Sequence, residues 1–327
     1  MFINENSINV VTVTYGDRWG HLKQIIERLH LFPEVNSIII IDNASSYSVQ
    51  DKVKEEFNHS QKVTVITSST NLGSSGGFKR GIEEALEKDG ELIWLLDDDN
   101  LPNENAIKGF TNAQKALGDS EKYILCSYRE DWKELRRNGG QKLKENTFFQ
   151  FDLISKMPGK NKAKKQVPSS SSKNLLKCDY APYGGLLFPK SILKDVGLPN
   201  DDYYLYVDDT DFTYRMTKLG YEIFCVVDST ITDLESSWFR NKKEPMFFSF
   251  FRANSTYRGL MNIRNRVYFE TTNNKTNSFM YFLNMWVYLV HVFLFYMPKN
   301  KGGLQRYFSI LKAIKLGKKG ILGNEIR

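Results

Sequence analysis

The sequence predicts an α/β fold with a mostly parallel sheet flanked by helices, followed by a helical C-terminal extension. Three observations carry this expectation. Short apolar runs alternate with amphipathic helical patterns over the first 130 residues. Hydroxyls, amides, glycines and acids gather at the carboxyl ends of those runs. Beyond about residue 245 the pattern is helical throughout.

In chain order, the apolar runs 9–14, 37–42, 63–67, 91–96 and 123–127 read as strands. The stretches 20–32, 49–58, 75–88 and 103–117 read as the helices between them. Such units form parallel sheets covered on both faces, and ligands sit at the carboxyl ends of the strands. The first run ends at Thr14-Tyr15-Gly16 and the second at Asp42-Asn43-Ala44-Ser45. The third leads into Asn71-Leu72-Gly73-Ser74-Ser75-Gly76-Gly77, and the fourth ends at Asp97-Asp98-Asp99. Residues 1–130 thus form the first half of a domain expected to span 1–244. A second half at about 178–240 ends in the acid-rich run Asp208–Asp211. Between them, 156–174 is lysine-rich and serine-rich, and reads as a mobile loop. Residues 245–327 form the C-terminal region.

With 41% hydrophobic residues, the chain has the composition of a folded protein. Three widely spaced cysteines lack metal-ligand spacing and suggest no disulfide framework. The first residues carry no basic, apolar secretory pattern. The net charge of +7 is uneven: residues 271–327 hold nine Lys or Arg against one acid. These charges adjoin the apolar aromatic stretch 279–297, which argues for a membrane surface and against nucleic acid.

Three constellations carry chemistry. Asp97 and Asp99 sit at the tip of a buried strand, where alternation puts them on one side and Asp98 on the other. Two carboxylates on one side suit Mg²⁺ or Mn²⁺, with diphosphate supplying further ligands. An acidic turn capping the next helix is the plainer alternative. The run NLGSSGGFKRG opens a helix whose N-terminus favours anions, yet it matches neither GxGxxG nor the Walker lysine pattern. The acids Asp208, Asp209 and Asp211 open a helix predicted over 210–219 that stops at Gly220. Capping needs one acid there, so another is available as a general base.

Together, VTVTYGDR, IIIIDNASS, TNLGSSGGFKRGIEEAL, LIWLLDDDNLP and PYGGLLFPKSILKDVGLPNDDYYLYVDDTDFTYRMTKLGY resemble the inverting GT-A glycosyltransferases of family 2. The resemblance covers about residues 9–235 and is closest to the bacterial galactofuranosyl- and rhamnosyltransferase branch. It implies a GT-A fold and a UDP- or dTDP-sugar donor. The donor would meet Thr14, Tyr15, Gly16, Asp42, Asn43, Asn71, Gly73, Gly76, Gly77, Arg80, Asp97 and Asp98. By the same carry-over, Asp97 and Asp99 hold Mn²⁺ or Mg²⁺ and Asp209 is the catalytic base. Tyr183, Gly184, Gly185 and Asp208 meet the acceptor, while Asp211 and Arg215 hold the helix in place. The galactofuranosyl branch has a histidine metal ligand where this sequence has Asp233. By that carry-over Asp233 is expected as a third, carboxylate ligand, the alternatives being a water kept on the metal there or a ligand elsewhere in the chain.

The implied reaction is inverting sugar transfer to a saccharide, on a lipid carrier, in bacterial cell-surface polysaccharide synthesis. The competing readings are a nucleotidyltransferase acting on a sugar phosphate and an inactive membrane-bound scaffold. The basic tail predicts peripheral attachment at the cytoplasmic face of the cell membrane, with an amphipathic stretch at 303–319 lying on the surface, the alternatives for 279–297 being a buried core helix or a membrane span. Arg264, Asn265 and Arg266 are expected either at a lipid diphosphate or in a structural ion pair.

Overall fold

In a computed structural model of the chain, residues 3–58, 60–118, 122–156, 174–235, 245–300 and 302–326 are described. The basic loop expected at 156–174 lies almost wholly outside them. The described residues divide into two compact units. The first takes residues up to 142, then 174–201 and 208–235; the second takes 143–156, 202–207 and 245–326. The expected boundary near 244 thus misses two short segments, which pack with the C-terminal helices instead.

In the first unit the elements run β1 (Ile8–Thr14), α1 (Trp19–His30), β2 (Val35–Asn43), α2 (Val49–Phe57), β3 (Val63–Ser68), α3 (Gly73–Leu86) and β4 (Leu92–Asp97). Then come β5 (Asn100–Pro102), α4 (Ala106–Leu117), β6 (Tyr123–Arg129) and α5 (Lys133–Asn138). After α6 (Leu153–Lys156) of the second unit, the first resumes with β7 (Leu175–Cys178), β8 (Leu186–Pro189), α7 (Leu193–Val196), α8 (Asp208–Lys218) and β9 (Glu222–Asp233). The sheet order is β3-β2-β1-β4-β8-β6-β9-β5, with β7 paired to β9. Strands β3, β2, β1 and β4 are parallel, while β8 runs antiparallel to β4 and β6. Strand order reverses at β1 and β4, opening a crevice at their carboxyl ends.

Alternation along β1 builds both faces of the sheet. Ile8 and Val10 pack with α1, α2 and α4, through residues such as Leu22, Val49 and Phe110. Val11 and Val13 pack with Phe78 and Ile82 of α3 and with Phe212 and Met216 of α8. The glycines of α3 permit that contact: a Cβ on Gly77 would lie 2.6 Å from Val13, and one on Gly81 would overlap Val11. The second half of the sheet was not resolved into strands by periodicity, because β5, β7 and β8 hold only three or four residues each.

The second unit contains α9 (Met246–Arg252), α10 (Tyr257–Phe269), α11 (Ser278–His291) and α12 (Gly303–Lys318). Its core joins Phe148, Phe247, Phe250, Ile263, Val267, Tyr281, Val292 and Ile310. Glu270, fully buried, accepts from Arg266 Nε at 2.8 Å and from the Phe149 amide at 3.0 Å. Helices α11 and α12 are antiparallel neighbours. Lys318 lies over Phe282 near the start of α11, and Phe293, just beyond its end, meets Tyr307.

Gly81→Ala should destabilise the protein by about 1–3 kcal/mol, because a well-packed helix–strand contact must open. Gly20→Ala, where a Cβ meets nothing within 4 Å, should be neutral or slightly stabilising. Urea unfolding of the two variants checks this; equal midpoints would contradict the packing role.

Candidate active site

The acids at the β4 tip are assembled by three short elements. Strand β4 stops at Asp97, and the chain turns through Asp98 and Asp99 before pairing as β5 with β9. Strand alternation therefore ends at Asp97, and the expected same-side placement of Asp97 and Asp99 does not follow from the strand period. The turn and the sheet register do the grouping instead: β9 places Asp233 directly opposite Asn100.

Two arginines bind this acidic edge. Arg18 Nε lies 2.8 Å from Asp98 and its Nη2 lies 3.2 Å from Asp99, while Nη1 pairs with Glu235. Arg129 Nε donates to Asp233 at 2.9 Å, and its Nη2 lies 3.0 Å from Asn100 Oδ1 and 3.8 Å from Asp97. Asn100 links the halves, donating to Asp99 at 3.2 Å and to Asp233 at 3.0 Å. Gly184 lies against the same cluster: a Cβ there would sit 2.7 Å from Asp97 Oδ2 and overlap Asn100 and Arg129.

Positive charge does not match the negative charge gathered here. Desolvation, outweighing the attraction of Arg129, pushes Asp97 up to about 7, with repulsion from Asp99, Asp209 and Asp233 adding to it. The Asp97 side chain keeps 46% of its surface open to solvent, which moderates that shift. Burial likewise raises Asp98 to about 7 against the pull of Arg18, and raises Asp99. Among the described residues, no three His, Cys, Asp or Glu side chains converge as a complete metal cage. One feature nevertheless fits a divalent ion: the excess of carboxylate over cation at this edge. Asp97 and Asp99 are the pair able to hold it, with oxygen ligands still to come from a donor diphosphate.

The acids of α8 divide by environment. Asp208 is buried and accepts from Ser74 Oγ at 2.8 Å, which joins α8 to the start of α3; burial first and Asp209 second push its pKa up. Its expected acceptor contact gives way to this internal bond. Asp209 is half-buried, and its Oδ1 accepts from the Thr210 amide at 2.6 Å. Asp211 accepts from Arg215 Nε at 3.0 Å, and Arg215 also donates to the carbonyls of Val196 and Leu198, so this pair secures the helix as expected.

The expected nucleotide-binding residues separate into two groups. Thr14, Tyr15, Gly16, Asp42 and Asn71 lie at the β1, β2 and β3 ends. The hydroxyls of Thr14, Ser45 and Tyr47 are buried at these strand ends, where Thr14 interacts with both Tyr47 and Asp98. The expected site residues did not include Arg18, Tyr47, Asn100 and Arg129. Arg18 and Asn100 stand inside the quoted motifs, but Arg129 reaches the site only through the β6–β9 register.

The other group has inward roles. Asn43 donates to Asn71 Oδ1 and to the Gly73 carbonyl and accepts from the Leu72 amide, so it shapes the loop rather than facing a base. Gly77 faces β1, and a Cβ on Gly76 would meet the Leu72 side chain; only Gly73, at φ +72°, has a left-handed turn to make. Arg80 is exposed on α3. The Tyr183 ring is buried between Phe78 and Phe212, so it is core, and its unpartnered hydroxyl lies in the field of the α8 acids. Gly185, at φ +96°, carries the sheet connection, bonding to Leu95 and Ser127.

Comparison with known proteins agrees with this architecture. Residues 9–163 match the model of glycosyl transferase family 2. It is 23% identical over 215 residues to a low-salt glycan biosynthesis hexosyltransferase of Haloferax volcanii, covering 65% of this chain and 62% of the relative. It is 22% identical to a dTDP-rhamnosyl transferase of Shigella flexneri, covering 68% and 67%. It is 24% identical to a galactofuranosyltransferase of Mycobacterium tuberculosis, covering 48% and 47%. The matches thus span about two thirds or less of these relatives. Among solved structures, a Pyrobaculum calidifontis mannosyltransferase with GDP-Man and Mn²⁺ superposes with a TM-score of 0.53, covering 95% of this chain and 75% of that one. A GalNAc-T7 structure with UDP, GalNAc and Mn²⁺ gives 0.54, covering 79% and 48%. At 12% identity, both show a shared GT-A-like fold.

Removing Arg129 strands Asp97 and Asp233 without their cation. Arg129→Met should therefore lower stability by about 3–5 kcal/mol, and adding Asp233→Asn should recover part of it. Denaturant unfolding of the single and double variants tests this; strict additivity would show that the two residues do not act as a pair.

Proposed function

We propose that this chain transfers a hexosyl group, such as galactofuranose or rhamnose, from a UDP- or dTDP-sugar to a saccharide acceptor with inversion. The observation that supports it best is the convergence of Asp97, Asp99 and the α8 acids on one edge of the sheet, close enough for Asp209 to raise the Asp97 pKa. The named rhamnosyl- and galactofuranosyltransferase relatives favour these sugars. The Mn²⁺ complexes of the structural neighbours favour Mn²⁺ or Mg²⁺ as the ion.

In this reading Thr14, Tyr15, Asp42 and Asn71 line the nucleotide subsite, and Asp98 faces the donor sugar. Asp97 and Asp99 would hold the metal, whereas Asp233, expected as a third ligand, is taken up by Arg129 and Asn100. The bound ion would neutralise the departing diphosphate. Asp209 removes a proton from the acceptor hydroxyl as its oxygen attacks the anomeric carbon. The bond to diphosphate breaks on the opposite side, giving an inverted glycoside, a nucleoside diphosphate and one proton.

Asp209→Asn should cut turnover by about 10²–10⁴-fold while nucleotide diphosphate affinity stays within about twofold, because the base acts on the acceptor. Asp99→Asn should abolish Mn²⁺-dependent binding of UDP and dTDP. Hydrolysis of UDP-galactofuranose and dTDP-rhamnose, with Mn²⁺ or with EDTA, together with calorimetric nucleotide binding, reads both. Full activity in EDTA would overturn the metal role, and full activity of Asp209→Asn would overturn the base.

We also propose that the second unit attaches the enzyme peripherally to the cytoplasmic face of the cell membrane, where a lipid-linked saccharide of a cell-surface polysaccharide pathway would be the acceptor. Ser278–Lys299 is long and apolar enough to span a bilayer, but one of its sides packs inward. There, Asn284 donates to the Asn146 carbonyl and accepts from the Leu153 amide. A helix fastened by a buried amide is poorly suited to stand alone in lipid. The other side presents Phe279 and Trp286, 73% and 64% exposed, followed by Phe293. On α12 one stripe carries exposed Leu304, Phe308, Lys312, Lys315 and Lys319. Aromatic residues beside lysines suit an anionic lipid surface. Deleting α12 would uncover α10, whose Arg264 carbonyl leaves no room for a Cβ on Gly317, so point changes are the cleaner test. Combining Trp286→Ser with Phe308→Ser should release the protein from phosphatidylglycerol vesicles without changing donor hydrolysis. Wild-type protein that ignores such vesicles at low salt would overturn the attachment.

A further inference from the structure

The residues leading into the α8 acids hold the most strained backbone of the described chain. Tyr204, Tyr206 and Val207 have φ of +60°, +69° and +70°, a region that side-chain-bearing residues avoid and β-branched ones avoid most. Leu205 N–H also donates to the Tyr203 carbonyl at 2.7 Å, closing a γ-turn of the rare form whose central residue has positive φ. No glycine relieves the segment from Tyr203 to Val207, and the next residues are Asp208 and Asp209. Backbone held in such a state persists only where its surroundings over-determine it, and such sites cluster at functional positions.

The restraint comes from one fully buried side chain. Asn265 of α10 donates from Nδ2 to the carbonyls of Tyr203, Leu205 and Tyr206 at 2.8, 2.9 and 3.0 Å. Two N–H groups thus serve three carbonyls, converging on one nitrogen from a turn of four residues. The amide's orientation is fixed in its turn, because Oδ1 accepts from Arg264 Nε at 2.9 Å. The Arg264 guanidinium is anchored to the Glu325 and Gly323 carbonyls. Arg264 and Asn265 are both fully buried and Arg266 pairs with Glu270, so none of the three is spare for a lipid diphosphate.

We infer that Asn265 is a positioning residue for the acids of α8: its amide pins the left-handed turn Tyr203–Val207, which sets where Asp208 and Asp209 begin the helix. This rests on the proposed sugar transfer, with Asp209 as base. The chemistry gives the direction of the effect. Without the amide, three carbonyls lose their shared donor, and Val207 relaxes toward negative φ. That rotation turns the peptide entering Asp208 and moves the base relative to the acceptor hydroxyl. Donor binding, built on the β1, β2 and β4 ends, meets that path only through the Ser74–Asp208 hydrogen bond.

The test uses the full chain, with Mn²⁺-dependent hydrolysis of UDP-galactofuranose and dTDP-rhamnose for turnover and calorimetry of UDP and dTDP for donor-site integrity. Asn265→Ala should lower kcat by about 10–100-fold, as expected for a displaced catalytic group, with nucleotide Kd within about twofold. Asn265→Asp keeps the acceptor for Arg264 but turns an anionic oxygen toward the three carbonyls, and should be at least as impaired. Val207→Gly, which adopts positive φ freely, should restore kcat of Asn265→Ala by about tenfold. A purely structural role would not yield that rescue. Unchanged kcat in Asn265→Ala would overturn the inference, as would parallel loss of kcat and nucleotide affinity, or failure of Val207→Gly to rescue. Wild-type protein that hydrolyses neither donor would instead overturn the sugar-transfer reading itself.

Discussion

The acidic edge of the sheet is organised by a shortage of cations. Asp97, Asp98, Asp99, Asp233 and Glu235 are served by Arg18 and Arg129, and the carboxyl groups of the β4 tip are raised as a result. An apolar surround makes this imbalance expensive, since unscreened like charges repel strongly at low dielectric. In the proposed reading, a dication entering with a diphosphate would add positive charge where it is short, and would bring anionic oxygens that complete its coordination. Arg18 and Arg129 hold the carboxylates apart from one another until then, so the edge stays assembled without a ligand.

Geometry at the helix ends complements this electrostatic frame. The α3 glycines bring the helix onto β1, and Ser74 at its first turn reaches Asp208 of α8. The approach of a glycine-bearing helix to a strand, which reads as core packing, therefore also sets the spacing between the nucleotide-facing loops and the acid pair. Tyr183 acts similarly, its ring filling the space between Phe78 and Phe212 while its hydroxyl faces the acids.

The first half of the fold was readable because each strand and helix is long enough to show its period. Strands β1 to β4 and helices α1 to α4 fall within a few residues of their expected positions. The acids of β4 and α8 were readable because charge at the end of an apolar run, or in excess of what a cap requires, is visible locally. What stayed hidden depends on tertiary register. Arg129 carries no local signal, Asn100 stands in a motif that does not announce its partner, and both meet Asp233 only because β5 and β6 both pair with β9. Gly76 and Gly77 misled for a related reason: a glycine that admits a ligand and one that admits a valine look alike until the helix is placed. Asn265, in the motif-poor sequence YRGLMNIRNRVYF, draws its importance entirely from the carbonyls it gathers.

The chain threads between its two units several times, and residues 143–156 and 202–207 belong with helices that come much later. The Arg264 guanidinium is completed by carbonyls at Gly323 and Glu325, 59 and 61 positions further along the chain. A nascent chain emerging in order would thus have the whole sheet synthesised while the turn ahead of Asp208 still lacks its support. By the same connectivity, no single crossover point in the gene exchanges one unit for a foreign counterpart. Diversification of such a protein must proceed by substitution within both units together, rather than by shuffling an interchangeable tail.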